Sequence, residues 1–460
     1  MHPAVLAAML LAIILVLVLP RKQAMVPLFL IALVTPFGQQ LYLGGVHWFV
    51  LRTVILTGCV RVAAAKKEMR VAGSSNTLDK AFCLWAVSRA VAFMLLYREG
   101  GAVVNQMAFL LDALGGYFVL RYLIQDEDDV ARAAKLLVVV TLIMGAGMLN
   151  ERLRGVNVFG YAGSFSVVPQ FRDGQIRAQG AFGHPVLAGV FGATVIPLFF
   201  WLWKSGKARG VALAGFAGST AMVLASASST PVLAMIASVG GLCLWPIRHY
   251  MRGVRWGIVL TLVVLSLVMK APVWYVIAHV DIVSASSGWH RAQLVDTFVK
   301  HWPDWWLIGT KNDASWGSET VDTSNQLVAE GVSGGLVALF WFIVILRRGF
   351  GALGTARRLA LRGQDRNQEW FLWSLCAVML SHVVAFWGTA YWDQTRFWWF
   401  AFLAIIPVAT MRLHSAQNER QSAAPIQADL DYWQPDPAAL PQPAQADGQP
   451  TTLVDDAAHV

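Results

Sequence analysis

The stretch HVDIVSASSGWHRAQLVDTFVKHWPDWWLIGTKNDASWGSETVDTSNQ (residues 279–326) is the longest polar segment of a mostly apolar chain. Apolar runs at 256–276 and 327–346 flank it on both sides. A loop of this length is usually functional or disordered, but its five tryptophans are too many for a solvated linker. We therefore predict that residues 277–326 fold as a partly helical cap over a site at a membrane surface.

The composition of the whole chain is that of a membrane protein. Of its 460 residues, 57% are hydrophobic and 14% are charged, and the mean hydropathy is +0.54, whereas soluble domains carry about 25% charged residues. Long apolar runs, rather than short alternating strands, predict an all-α polytopic membrane protein. The net charge of +9 comes mostly from short loops of one side, which the positive-inside rule explains without nucleic-acid binding.

The apolar runs give the number of membrane-spanning helices. About thirteen segments are long enough, or about twelve if the second, which Pro36 and Gly38 interrupt, only dips into the membrane. The segments are 4–20, 25–41, 45–62, 78–97, 103–124, 131–149, 181–203, 210–227, 231–247, 256–276, 327–346, 370–388 and 396–412.

Lysine and arginine predict the orientation, because they collect in the loops on the inner side. The N-terminus is then outside and two longer loops face outward. The final stretch is rich in Ala, Gln, Pro and Asp and reads as disordered. The chain divides into N-terminal transmembrane helices (1–150), a first outer loop (151–180), central transmembrane helices (181–276), the large outer loop (277–326), C-terminal transmembrane helices (327–412) and a cytoplasmic tail (413–460).

Few ionisable side chains fall within the apolar runs. Arg89 and Asp112 each lie roughly 12–14 Å below the outer boundary, so we expect them to pair across adjacent helices, as a structural ion pair or a proton relay. His382 is expected to be a hydrogen-bonded core histidine. The four cysteines all lie in apolar runs, and we expect no disulfide, no metal site and no cofactor.

The first outer loop ends in RAQGAFGHP, residues 177–185. Arg177 and His184 lie where the chain enters a helix, and Pro185 suits the first helical turn. The positive end of that helix dipole, beside an arginine, favours an anion. The alternative is an interfacial arginine that extends to the lipid headgroups.

This motif resembles the signature of the O-antigen ligase and O-antigen polymerase superfamily of bacterial inner membranes. Four further stretches resemble that family in the same order along the chain. They are SASSTP at 226–231, GWHR at 288–291, PDWWLIGT at 303–310 and SNQLVAEGVSG at 324–334. The resemblance covers most of residues 20–412.

The resemblance implies a metal-independent glycosyltransferase at the periplasmic face of the inner membrane, with a periplasmic N-terminus and a cytoplasmic C-terminus. It implies an undecaprenyl-diphosphate-linked oligosaccharide as donor, contact with membrane lipids, and a chain-length regulator and a flippase as partner proteins.

Such a transfer expels a lipid diphosphate, and the planar charged fork of arginine suits that anion. We therefore predict that Arg177 and Arg291 clamp the diphosphate. The candidates for the general base are His290, then His184, then Glu330, because a histidine titrates near neutral pH. For Glu330 the alternative is a carboxylate that stabilises the start of a helix.

Three further residues are candidate substrate contacts: Trp289, Asn325 and Lys311. Trp289 lies beside the predicted arginine clamp and can stack on a sugar ring. Trp302, Trp305 and Trp306 read instead as interfacial anchors, since tryptophan is enriched at membrane interfaces.

One position departs from the family pattern. Family ligases carry a histidine where this chain has Ser324, followed by Asn325. The departure favours a repeat-unit polymerase for exopolysaccharide or O-antigen. The first alternative is a ligase that transfers finished glycan to lipid A-core or protein. Further alternatives are a transporter of lipid-linked oligosaccharides and a non-enzymatic assembly partner.

Overall fold

The computed structural model describes residues 1–43, 46–65, 75–163, 166–172, 174–206, 208–279, 287–317, 320 and 323–411. The predicted cytoplasmic tail at 413–460 lies outside these ranges. Helices dominate the described chain, with two short hairpins. The elements are α1 (Pro3–Val18), α2 (Arg21–Val34), β1 (Gln40–Leu43), β2 (Val46–Phe49), α3 (Val50–Ala64), α4 (Thr77–Tyr97), α5 (Gly100–Leu110), α6 (Gly116–Leu123), α7 (Glu127–Arg154), β3 (Gln170–Arg172), β4 (Gln175–Arg177), α8 (Pro185–Lys204), α9 (Arg209–Ala225), α10 (Ser229–Cys243), α11 (Met251–Val268), α12 (Ser287–Lys300), α13 (Trp302–Trp305), α14 (Gln326–Arg362), α15 (Arg366–Phe386) and α16 (393–411).

Several of these helices have the length and composition of membrane spans. Within the described ranges, seven stretches are long and apolar enough to cross a membrane, and α1, α9 and α10 are shorter apolar helices. The seven are Thr77–Tyr97, Gly100–Leu123, Glu127–Arg154, Pro185–Lys204, Trp245–Val268, Gln326–Arg362 and Arg366–Phe386. The helical membrane class predicted from composition agrees with this arrangement, and a helix overlaps each apolar segment of the sequence.

Two antiparallel hairpins were not predicted. The strands β1 and β2 pair Leu41 with Trp48, over residues that the sequence assigns to the ends of two apolar segments. Helix α2 ends at Val34 because Pro36 follows and cannot continue it. The second hairpin, β3–β4, pairs Gln170 with Arg177 and gives the first outer loop a fixed end.

Helix α8 is the centre of the bundle and is buried along nearly its whole length. Its start lies against the turn between α9 and α10. A Cβ atom at Gly189 would lie 2.6 Å from Ser226 Oγ and from Pro231 Cγ. Glycine therefore allows this turn to approach the first turns of α8. As a result the starts of α8 and α10 lie side by side.

Residues 287–317 fold around an apolar cluster that also includes Val328 of α14. Leu294, Phe298 and Trp305 are buried there, and the rings of Phe298 and Trp305 stack at 4.0 Å between centroids. The indole of Trp305 donates to the Phe298 carbonyl at 2.8 Å. The prediction that Trp305 is an interfacial anchor is therefore wrong, since Trp305 is a core residue of the cap. Trp302 and Trp306 remain exposed.

The cap is attached to α14 at a break in that helix. Gly335 has φ 67° and ψ −168°, values that interrupt the helix and that favour glycine. The loop after α13 fills the break: Thr310 N–H donates to the Val332 carbonyl at 2.9 Å, and Leu336 N–H donates to the Trp306 carbonyl at 2.8 Å. A Cβ at Gly335 would lie 2.5 Å from the Leu307 carbonyl oxygen, so the glycine allows this contact.

The predicted pairing of Arg89 with Asp112 is wrong. Asp112 accepts two hydrogen bonds from Arg52, at 2.8 and 3.1 Å, and Arg89 Nε lies 3.4 Å from Glu330 Oε2. The packing of the helices explains why the ion-pair partners differ from those predicted. Helix α4 packs mainly against α14, whereas α3 packs against the π-helical turn that carries Asp112. Depth along a helix gave no information about which helices are neighbours.

Candidate active site

A cavity of about 500 Å³ lies at one end of the helix bundle. Its lining comes from five parts of the chain that are far apart in sequence: the β3–β4 hairpin with the start of α8, the α9–α10 turn, the start of α12, and the segments before α14 and α16. The described lining residues are Arg172, Arg177, His184, Val186, Ala227, Ser228, Ser229, His290, Arg291, Thr323, Ser324, Gly388, Thr389, Ala390 and Trp392. Four of the five residues predicted to be catalytic are among them.

Helices α8, α10, α12, α14 and α16 all begin at this cavity. The first N–H groups of a helix have no partner within the helix, and its dipole places roughly half a positive charge there. His184 is the N-cap of α8, Ser228 of α10 and Asn325 of α14. The backbone therefore adds positive potential to a cavity that arginines already line.

Arg177 ends strand β4 and is held against the α9–α10 turn. Its Nη2 donates to Ser228 Oγ at 2.6 Å, and Ser228 Oγ donates to the Ser226 carbonyl at 2.9 Å. Ala178 N–H donates to the Ala225 carbonyl at 3.0 Å, which fixes the hairpin to the same turn. The guanidinium is thus fixed by its neighbours at the wall of the cavity.

Arg291 and His290 lie in the first turns of α12, on the cap side of the same cavity. Arg291 is only 8% exposed. Together with Arg172 and Arg177, Arg291 brings three arginines to one cavity, and the described lining contains no carboxylate. This combination attracts an anion with several oxygens, such as a phosphate or a diphosphate.

The two histidines differ in what they can do. His184 Nδ1 accepts the Val186 N–H at 3.2 Å as a helix cap, so in the neutral ring the proton is on Nε2. The ring can then take up a proton only at Nδ1, and that would break the cap. His290 has no such capping role in the described structure, and we therefore rank it first as the proton acceptor.

Three predicted site residues lie outside the lining. Trp289 is 53% exposed and packs edge-on against Tyr275, with centroids 5.5 Å apart. Lys311 lies over the Tyr97 ring at 4.8 Å. Asn325 is fully buried, and its Oδ1 accepts from the N–H groups of the first turn of α14. It shapes the site by placing Ser324 at the cavity.

Glu330 is also outside the lining and is engaged on every side. Its carboxylate accepts from Trp85 Nε1 at 2.8 Å and from Gln326 Nε2 at 2.6 Å, and the Arg89 ion pair completes the set. Gln326 Oε1 in turn accepts from Tyr391 N–H at 2.6 Å. We therefore withdraw Glu330 as a base, since it fixes the start of α14 against the segment before α16.

Sequence reasoning missed part of the lining. Arg172 is on the same loop as Arg177, and its only signal was a second arginine near the end of that loop. The segment from Gly388 to Trp392 carries no charge and had no motif, yet it forms one wall of the cavity. Thr230 Oγ1 holds that wall by donating to the Gly388 carbonyl at 3.2 Å.

Comparison with protein-family models and with curated proteins finds no match to this sequence.

Proposed function

We propose that this chain polymerises polysaccharide repeat units carried on undecaprenyl diphosphate, for exopolysaccharide or O-antigen. The observation that supports the proposal best is the shared cavity of Arg172, Arg177 and Arg291, which has no described carboxylate in its lining. Such a cavity suits the polyanionic leaving group of this transfer. The choice of a glycan on undecaprenyl diphosphate as the substrate rests on the motifs that resemble the O-antigen ligase and polymerase superfamily.

The transfer forms one bond and breaks one bond. The hydroxyl oxygen of the acceptor sugar attacks the anomeric carbon of the donor glycan, and the bond from that carbon to the diphosphate oxygen breaks. The diphosphate leaves with the electron pair, and His290 takes the hydroxyl proton. Negative charge grows on the leaving oxygen, where Arg177 and Arg291 stabilise it; each such donor is typically worth about 3–4 kcal/mol.

We further propose that about thirteen helices span the bacterial inner membrane, with the cavity at the periplasmic face and the N-terminus outside. Lysines and arginines concentrate in the opposite loops, as the positive-inside rule requires. Alkaline phosphatase, which folds only outside the cytoplasm, is expected to be active when fused after Arg154 and inactive when fused after Lys204. The reverse pattern of activity would show that the chain has the opposite orientation in the membrane.

Deletion of the gene tests the function directly. Carrier-linked and surface glycans are then separated on gels and identified by mass spectrometry. Loss of long chains, with single repeats left on the carrier or its acceptor, is the expected result. Long polymer that accumulates on undecaprenyl diphosphate would instead identify a ligase. Single repeats trapped on the cytoplasmic leaflet would identify a transporter, and either outcome rejects the polymerase.

A further inference from the structure

A second cavity, of about 130 Å³, lies between α4, α5, α14 and α16. It shares Ala390 and Trp392 with the first cavity, so the two are on either side of one short segment. Its polar lining includes Arg89, Arg396 and Glu330. Thr323 and Ser324, which precede α14, line the first cavity. Glu330, in the second turn of α14, lines the second cavity. The second cavity is therefore deeper in the bundle.

Two arginines and one carboxylate are the charged residues in the described lining of this cavity. Glu330 pairs with Arg89, and Arg396 Nε donates to the Tyr391 carbonyl at 3.1 Å. Arg396 forms no ion pair with a carboxylate in the described part of the chain, although Asp112, Glu330 and Asp393 act on it at longer range. An arginine within a membrane-spanning bundle is costly without a counter-ion, and such residues usually mark a ligand site.

The remaining lining is aromatic, and the cavity is small. Trp85, Phe109, Phe342 and Trp399 are among the rings, and the Arg89 guanidinium lies 4.5 Å from the centre of the Phe109 ring. A cavity of roughly 150 Å³ can hold one benzene ring, so this one has room for a single phosphate group. A diphosphate with a sugar attached requires the larger cavity.

The surroundings of the cavity indicate how the anion arrives. The Arg89 side chain, which lines the cavity, is 19% exposed. Several exposed residues on the same helices are apolar, among them Val91 on α4, Met107 on α5 and Leu336 on α14. A surface of this kind at membrane depth contacts lipid chains, and an anion that enters through it carries a chain of its own.

We propose that the second cavity binds the phosphate of a lipid, with Arg396 and Arg89 as its counter-ions and the aromatic rings around the first carbons of its chain. The lipid is either a polyprenyl phosphate or a glycerophospholipid of the bilayer. The proposal concerns a separate site and does not depend on glycosyl transfer in the first cavity.

The test uses the purified full-length protein in detergent with the first cavity disabled by Arg177→Gln and Arg291→Gln together. Three probes are titrated by calorimetry: farnesyl phosphate, lysophosphatidic acid and inorganic phosphate. We expect at least one lipid probe to bind at least about tenfold more tightly than inorganic phosphate. Adding Arg396→Gln is expected to weaken that binding at least about tenfold, whereas Arg366→Gln, at an exposed position on α15, leaves it unchanged.

Ala329→Leu is the second variant, because Ala329 lines the cavity and a larger side chain fills it without removing a charge. It keeps the test decisive if Arg396→Gln does not fold. Preference for farnesyl phosphate identifies the carrier type of lipid, and equal binding of lysophosphatidic acid identifies a bilayer phospholipid. Binding that neither variant weakens would overturn the site, and so would inorganic phosphate binding as tightly as the lipids.

Discussion

Replacement of Arg177 by alanine is the most direct perturbation of the proposed diphosphate clamp. The side chain lines the first cavity, and its Nη2 is fixed by Ser228 Oγ at 2.6 Å. Because the guanidinium is already oriented, its removal deletes a preorganised donor rather than a mobile surface charge. The fold is expected to survive, since the β3–β4 pairing and the Ala178 to Ala225 hydrogen bond use only the backbone.

The magnitude follows from what remains in the cavity. Loss of one preorganised donor to a developing anion typically lowers kcat by about 10²–10³, or about 3–4 kcal/mol. Arg172 and Arg291 still line the cavity, so some turnover persists. Ser228→Ala keeps the arginine but removes its hydrogen bond, which to a charged group is worth about 1.5–3 kcal/mol. We expect its rate to fall by roughly 10–100-fold, between wild type and Arg177→Ala.

The assay is polymerisation of an undecaprenyl-diphosphate-linked repeat unit by purified protein, followed as a ladder on a gel. Arg154→Ala is the matched control, because Arg154 is an exposed arginine at the end of α7, near the same outer loop. Thermal unfolding in detergent shows whether each variant is folded. A folded Arg177→Ala protein with a rate within about threefold of wild type would refute the clamp.

Three further changes test other parts of the structure. His290→Ala is expected to lower kcat by about 10²–10⁴, since a positioned base is lost; a folded variant with a rate within about threefold of wild type would remove His290 as the base. Glu330→Ala leaves Arg89 unpaired in the bundle and is expected to destabilise the protein by about 3–5 kcal/mol, and Glu330→Gln is expected to destabilise it less. Thermal unfolding measures both effects, and a Glu330→Ala protein that melts at the wild-type temperature would contradict the expectation. Gly335→Ala is expected to lower the melting temperature because of its positive φ and the close carbonyl, whereas Gly351→Ala, with open space around it, is not. A Gly335→Ala protein as stable as wild type would show that the cap does not depend on the helix break.

The helices were predictable because long apolar runs are a strong signal. The two hairpins were not, since β1 and β2 lie at the ends of two apolar segments that read as helices. The break at Gly335 was also hidden: glycines are common in membrane helices, and only the carbonyl of Leu307, which belongs to the cap, explains this one. Such contacts between distant segments leave no periodic pattern in the sequence.

The candidate site was partly predictable for a related reason. Arg177, His184, His290 and Arg291 were found because polar residues next to helix starts stand out in apolar sequence, and all four line one cavity. Glu330 was misassigned because its spacing from Asn325 in the sequence does not determine the direction of its side chain. Its partners come mainly from α4, a helix that sequence reasoning had connected to α5.

The distribution of charge also bears on the choice between transfer and transport. A carrier of a charged substrate needs a polar path through the bundle. Among the described residues, the deeper arginines Arg52, Arg89 and Arg121 each pair with a carboxylate. Arg396 forms no direct ion pair there, but the three pairs leave little free charge along such a path. The arginines of the first cavity lie instead at one end of the bundle, Arg172 and Arg177 on the β3–β4 hairpin and Arg291 in the first turns of α12. This placement at one end of the bundle is the reason why we propose transfer rather than transport.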